Sequence, residues 1–303
     1  MIDDYNIKKP KNQEVIKYTD KHFTPNSQER ISECGNWIEF FANREVNRLK
    51  VHQANFCKNR FCPMCAWRTA KKDALKIGVL MKYIEQEHGK VFISVTLTAP
   101  NVKAEDLKGE ITLYNKAFKK LVERKAFKKI NQGYIRKLEI TYNAERNDYH
   151  PHFHVVFAVN KGYFKKADYI KQETWLNEWR DVMNDQSISQ VFVKRFDSNI
   201  NEIAKYAAKD SDYTKSQEVF DTFYNALKGR QVITYNGLFA EANKMFKAKQ
   251  LDHYISQDDT DYAYMLLYRW GKKEYIEAER RELTDEEKKK VNRVLIDELE
   301  VEE

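Results

Sequence analysis

Three histidines in five residues, His150-Pro151-His152-Phe153-His154, are the part of this sequence whose types and spacing most directly imply chemistry. In an extended strand, residues i and i+2 project to the same face. His152 and His154 then point together and can share one metal ion, while Phe153 and Val155 turn to a core. The preceding strand carries Glu139, and a pairing register that sets it opposite His152 or His154 would add a carboxylate. Two imidazoles and a carboxylate leave coordination positions open for water or a phosphate oxygen. A lone strand histidine is usually structural, but three of the chain's 7 in one short run point to a site. His150 has the same parity, yet Pro151 is expected to break the strand and leave it at the rim.

A second group is Glu202-Ile-Ala-Lys-Tyr206-Ala-Ala-Lys209-Asp-Ser-Asp-Tyr213, whose Ala, Lys and Glu content reads as helix. At about 100° per residue, Glu202, Tyr206, Lys209 and Tyr213 fall within an arc of about 60°. A phenol with a pKa of about 10 needs help to act as a nucleophile. Lys209 can stabilise phenolate or phosphate charge, and Glu202 can take a proton from water or a hydroxyl. Alone, such a polar helix face is common.

The third group holds all 4 cysteines, between Cys34 and Cys65. A structural disulfide is not expected in a reducing cytosol. In Cys57-Lys-Asn-Arg-Phe-Cys62-Pro-Met-Cys65 the C-x2-C knuckle offers two thiolates to one tetrahedral centre. Cys57 and Cys34 complete the set, with His52 as the substitute for Cys34. Four protein ligands make a closed, structural zinc site; the alternative is four ordinary buried thiols. Lys58, Arg60, Arg68, Lys71 and Lys72 interleave here with Phe56, Phe61 and Trp67. That is the composition of a DNA-contacting surface, and equally of a solvated basic helix face.

The elements that position these groups follow from periodicity. A helix is expected over 67–87, with Ala70, Ala74, Ile77, Leu80, Met81 and Ile84 at three- and four-residue spacing. Strands are expected over 91–98, 134–142, 154–159 and 190–196, with a turn-rich 143–148 joining the middle pair as a hairpin. Helices are expected over 107–122 and 169–183. Beyond Lys215 the pattern is mostly helical, with Gly229 as a stop and Tyr235-Asn-Gly237 as a turn before a helix over 238–246. Residues 260–270 suit strand or helix, and the charged tail from Thr284 reads as a terminal helix.

Composition sets the outer limits. The chain has 303 residues, 53 Lys+Arg against 46 Asp+Glu for a net charge of +7, and 13% aromatics, which exclude a disordered chain. Basic and aromatic together lean toward nucleic acid, though only weakly at +7. No stretch of about 18 apolar residues exists to span a membrane. The opening MIDDYNIKKPKNQEVIKYTD lacks the apolar core of a signal peptide, so a cytoplasmic protein is expected.

Taken together, these motifs resemble the HUH endonucleases, and more fully the replication initiators of small rolling-circle plasmids from Gram-positive bacteria. The resemblance rests on Phe92-Ile-Ser-Val-Thr-Leu-Thr98, Glu139-Ile-Thr141, the run His150–His154, the segment Glu202–Tyr213 and the cysteine stretch Cys57–Cys65, and covers about residues 34 to 213. It implies an α+β fold, an antiparallel sheet flanked by helices with the paired histidines on a central strand. An N-terminal Cys-rich DNA-binding region (1–88), a nuclease core (89–215) and a helical C-terminal region (216–303) are expected.

The resemblance further implies metal-dependent nicking of one strand at the plasmid's double-strand origin, with Mg²⁺ or Mn²⁺ on His152, His154 and Glu139. Tyr206 is then the nucleophile, leaving a 5′-phosphotyrosine and a 3′-OH that primes host DNA polymerase. Tyr213 is the runner-up. Glu202 matches the glutamate that activates water for the terminating cleavage, and a host helicase is the implied partner. The rivals are a zinc-containing DNA-binding regulator that cuts nothing, and a relaxase or transposase of the same chemistry. The cysteine stretch and Glu202 argue against the latter.

Overall fold

The structure is a computed structural model that describes residues 2–165, 168–196, 212–255 and 258–291. It divides into two compact units, one formed by residues 1–72 with 255–303 and the other by 73–254.

The second unit is built on five antiparallel strands in the order β6-β3-β5-β4-β7. They are β3 (Lys90–Thr98), β4 (Gly133–Asn143), β5 (Asp148–Asn160), β6 (Val191–Phe196) and β7 (Ile233–Gly237). The alternation read from β3 holds: Ile93, Val95 and Leu97 are completely buried. Helix α4 (Leu107–Glu123) covers that face, because Leu107, Ile111, Tyr114, Phe118 and Leu121 recur at three- and four-residue spacing and all are buried. Tyr114 meets Phe153 of the central strand edge-on at 5.4 Å, and Trp179 of α6 (Gln172–Met183) at 5.5 Å. The Trp179 indole donates to the Thr98 carbonyl at 2.9 Å, so its one polar atom is satisfied. Burying rings of this size contributes about 1.5–3 kcal/mol each. A short helix α5 (Lys125–Ile130) follows α4, and α7 (Gln217–Leu227) adds Phe223 against Tyr149 at 5.7 Å on the same face. On the opposite face α8 (Leu238–Lys247) lays Phe239 against Phe92 at 5.8 Å.

Two expectations change here. Pro151 does not break β5, which runs on to Asp148. The pairing of β5 with β3 stops at His152↔Thr98, so the missing N–H falls beyond the end of β3. The Pro151 carbonyl is taken by the Tyr114 hydroxyl at 2.9 Å. Tyr235-Asn-Gly237 closes an edge strand rather than forming a free turn. Gly237 pairs with Gly133, and a Cβ on Gly133 would lie 2.6 Å from the Leu238 nitrogen. Only glycines permit this approach, so two glycines far apart in sequence fix β7 onto β4.

The first unit holds a four-stranded antiparallel sheet in the order β2-β1-β8-β9, from β1 (Trp37–Asn43), β2 (Leu49–Ala54), β8 (Tyr262–Trp270) and β9 (Tyr275–Glu282). Residues 260–270 thus resolve as strand. Around it lie α1 (Ile2–Val15), α2 (Pro25–Glu33) and the start of α3 (Pro63–His88), a helix somewhat longer than its apolar repeat. The C-terminal region carries α7, α8 and α9 (Asp285–Val291) along with β7 to β9. Helix α9 starts in a capping box: the Glu287 N–H donates to the Thr284 hydroxyl at 3.2 Å, and Glu287 accepts from the Thr284 N–H at 2.9 Å. No described helix is long and apolar enough to cross a membrane.

Candidate metal centres

The β4–β5 register sets Glu139 opposite His152, and strand parity brings His154 alongside. Their ligand atoms all lie within 4.8 Å of one another. Glu139 Oε2 is 3.1 Å from His154 Nε2 and 3.8 Å from His152 Nε2. The edge of an octahedron with ligands at about 2.1 Å is roughly 3.0 Å, so the three groups fit around one hard cation with little movement. Glu139 and His152 are buried, while His154 keeps 22% of its side chain exposed, which leaves the site open on one side.

The neighbouring groups orient both rings. His152 Nδ1 lies 3.2 Å from the His150 carbonyl oxygen, which can only accept. Nδ1 therefore carries the proton and Nε2 offers its lone pair toward Glu139. Burial lowers the His152 pKa to about 4, with the His154 charge adding to the effect, so the ring is neutral at neutral pH. His154 Nδ1 is held 3.3 Å from the Thr96 hydroxyl on β3.

His150 has another task. Asn101 donates its amide to Asp148 at 2.7 Å, so its carbonyl oxygen faces His150 Nδ1, 2.8 Å away, and accepts. His150 Nε2 in turn lies 2.8 Å from the Thr98 hydroxyl. With both ring nitrogens engaged, His150 ties the end of β3 to β5 and stands outside the ligand set. Thr96 and Thr98 belong to the Phe92–Thr98 stretch that carries the resemblance, but the sequence marks neither them nor Asn101 as site residues. Their signal is weak, because hydroxyls on a strand and an Asn after Pro100 are ordinary.

The other residues of the expected machinery divide. Glu202, Tyr206 and Lys209 lie outside the described residues. Tyr213 is 3% exposed and packs edge-on against Phe220 and Phe223 at 6.1 Å. Phe223 in turn meets Tyr149, whose parity on β5 is opposite to that of His152 and His154. Tyr213 therefore sits on the α4-covered face of the sheet, away from the face to which the two histidines point.

The four cysteines form the second cluster, all buried and with sulfurs within 4.8 Å of one another. Cys34 and Cys65 are 3.5 Å apart, Cys57 and Cys65 3.6 Å, and Cys62 and Cys34 3.6 Å. A tetrahedron with Zn–S of about 2.3 Å has an S···S edge of roughly 3.8 Å. Hydrogen bonds from the other three thiols drive the Cys57 pKa far down, while the same sharing raises Cys34, and burial above all raises Cys62. His52 stands apart: it is exposed on β2 with its ring against Phe41 at 4.5 Å, so Cys34 and not His52 completes the cluster.

Near this cluster, Lys58 and Arg60 are exposed. Arg68 stacks 3.9 Å over the Phe56 ring and donates to the Tyr5 hydroxyl. Lys71 pairs with Asp4 at 3.2 Å and lies 4.3 Å over Trp67. Lys72 is half-buried.

A family model described as "Replication protein" matches residues 48–276. The chain is 47% identical to "Protein rep" of Staphylococcus aureus over 217 residues, covering 70% of this chain and 95% of the relative. It is 36% identical to "Protein rep" of Bacillus amyloliquefaciens over 244 residues, covering 71% and 72%. It is 32% identical to "Protein rep" of Streptococcus pneumoniae over 248 residues, covering 77% of each. No solved structure matches the chain.

Proposed function

The chain belongs to the Rep replication proteins, the plasmid replication initiators, and from that premise we propose that it binds its plasmid's double-strand origin and nicks one strand as an HUH endonuclease. The observation that carries the reading is the Glu139–His152–His154 cluster, two Nε2 atoms and one carboxylate oxygen converging on a partly open face. This donor set suits Mg²⁺ or Mn²⁺. When bound, the ion polarises the scissile phosphate and offsets its developing charge.

The protein's own groups do the rest. The Tyr206 oxygen attacks the scissile phosphorus, and the bond from phosphorus to the 3′ oxygen breaks. A 5′-phosphotyrosine forms on the enzyme and a 3′-OH is released as primer for host polymerase. Lys209 stabilises the charge that builds on phenolate and phosphate. In the terminating cleavage Glu202 takes the proton of the water that attacks in place of a second tyrosine. The four-cysteine centre holds structural zinc, and Lys58, Arg60, Arg68, Lys71 and Lys72 contribute the duplex-facing charge. Host helicase then unwinds the duplex ahead of the polymerase. A cytoplasmic setting agrees with these partners.

The test is incubation with Mn²⁺ and single-stranded origin oligonucleotides, followed by a denaturing gel. A covalent protein–DNA adduct is expected. Its absence across several origin-like substrates would favour the zinc-containing regulator that binds without cutting. Glu202→Ala is expected to nick normally and fail in termination, and equal loss of both steps would remove the water-activating role.

A further inference from the structure

Helix α1 contributes a buried stripe of Tyr5, Lys9, Asn12 and Val15. Spacings of three and four put them on one face, but a lysine and an asparagine in its middle are unusual for a core-facing helix. Lys9 is completely buried. Its Nζ lies 2.7 Å from the Cys34 carbonyl, 3.1 Å from the Ser32 carbonyl and 3.2 Å from Asn12 Oδ1. All three are acceptors, and only the ammonium form has three N–H groups to donate. Lys9 is therefore a buried cation. Cys34, Cys62 and Cys57 each attract its charge more strongly than the Glu33 carboxylate does. Next to it on the same stripe, Asn12 donates its amide to Cys62 Sγ at 3.3 Å and to the Ile31 carbonyl at 2.8 Å.

A buried cation needs a counter-charge, because a neutral surrounding would favour an apolar side chain of the same size. Four thiolates around one divalent ion carry a net charge of 2−, and this supplies Lys9 with a counter-charge. We propose that Lys9 and Asn12 are the outer-sphere partners of the Cys34–Cys57–Cys62–Cys65 centre, so that metal loading and docking of α1 are one linked equilibrium. This rests on the reading of the four cysteines as a zinc site. Lys9 is a positioning and charge-balancing residue, and α1 is the cover that completes the centre. The link reaches further along α1, since Tyr5 accepts from Arg68 and Asp4 pairs with Lys71. Loss of the metal then frees two of the basic side chains that α1 holds.

The experiment uses the full chain purified without chelator. Zinc is withdrawn by a competing chromophoric chelator, and amide exchange of residues 2–15 is followed by mass spectrometry as the metal leaves. Wild type is expected to carry about one zinc per chain and to lose α1 protection in step with zinc removal, while β3 to β5 stay protected. Lys9→Met and Asn12→Asp are expected to bind zinc about 10- to 100-fold more weakly, the range typical of outer-shell changes. Less than half an equivalent of zinc on wild type would overturn the reading of the cysteines, and this proposal with it. Full zinc on wild type with unchanged affinity in Lys9→Met would overturn this proposal alone. If Lys9→Met does not fold, the wild-type exchange decides: α1 protection that survives zinc removal would end the idea.

Discussion

Glu139 Oε2 lies 3.1 Å from His154 Nε2, closer than to His152, although His152 is the residue directly opposite Glu139 in the β4–β5 ladder. The carboxylate leans along the strand to a point both imidazoles can reach. Glu139→Gln keeps the shape and removes the charge, and at least about tenfold weaker Mn²⁺ binding is expected, as for the loss of one anionic ligand. Titration with Mn²⁺ followed by electron paramagnetic resonance measures it. Unchanged affinity would place the ion elsewhere.

His150 is expected to behave differently from its two neighbours. Its nitrogens are engaged by Thr98 and Asn101, so His150→Ala should leave Mn²⁺ affinity within about threefold of wild type while His154→Ala loses it. The cost of His150→Ala should appear as stability instead, about 1–3 kcal/mol for leaving buried polar partners unsatisfied. A melting curve beside the Mn²⁺ titration separates the two effects. Metal affinity lost to the same degree in both variants would make His150 a ligand.

The legible part of this site is the part fixed by strand parity. His152, His154 and Glu139 follow from a period of two and one hairpin register, so their convergence is readable before any coordinates. The β5 start is not, because a proline in a central strand reads as a stop unless one knows that β3 has already ended. The sheet of the first unit is equally hidden. Its β1 strand pairs with β8, more than 200 residues later, and no local pattern announces such a partner. Helix α1 is illegible for another reason. Its core-facing stripe contains Lys9 and Asn12, which binary patterning assigns to solvent.

Tyr206 and Tyr213 lie seven residues apart in a sequence that reads as one helix face, yet Tyr213 is packed on Phe220 and Phe223 on the far side of the sheet from the histidines. Tyr206→Phe is expected to abolish the covalent adduct. Tyr213→Phe keeps the ring and should retain the adduct, while Tyr213→Ala should lower stability by about 3–5 kcal/mol through the cavity it leaves. An adduct that survives Tyr206→Phe and disappears in Tyr213→Phe would reverse the assignment.

Among the basic residues near the cysteines, position predicts strength. Lys58 and Arg60 are exposed, Arg68 stacks on Phe56 and donates to Tyr5, and Lys71 pairs with Asp4. Each phosphate contact contributes about 0.9 to the slope of log affinity against log salt. Lys58→Ala and Arg60→Ala should each lower that slope by about 1 on origin duplex. Lys71→Ala should lower it less, because its ammonium must first leave Asp4. Fluorescence anisotropy over a salt series reads the slopes, and identical slopes in all variants would show that this surface does not meet DNA.

The cysteine centre joins segments that otherwise have little reason to meet, since Cys34 follows α2, Cys57 follows β2 and Cys62 and Cys65 sit at the start of α3. A closed tetrathiolate supplies folding energy directly. Cys57→Ser removes one ligand and is expected to cut bound zinc well below one equivalent. Amide protection should fall in β1 and β8, whose unit contains the cluster, and persist in β3 to β5. Mn²⁺ binding at Glu139, His152 and His154 should therefore survive the loss of zinc, because those ligands are held within the β3–β5–β4 ladders of the second unit. Simultaneous loss of protection in both sheets would mean that the two units unfold as one, and that the cysteines support the histidine site as well as their own.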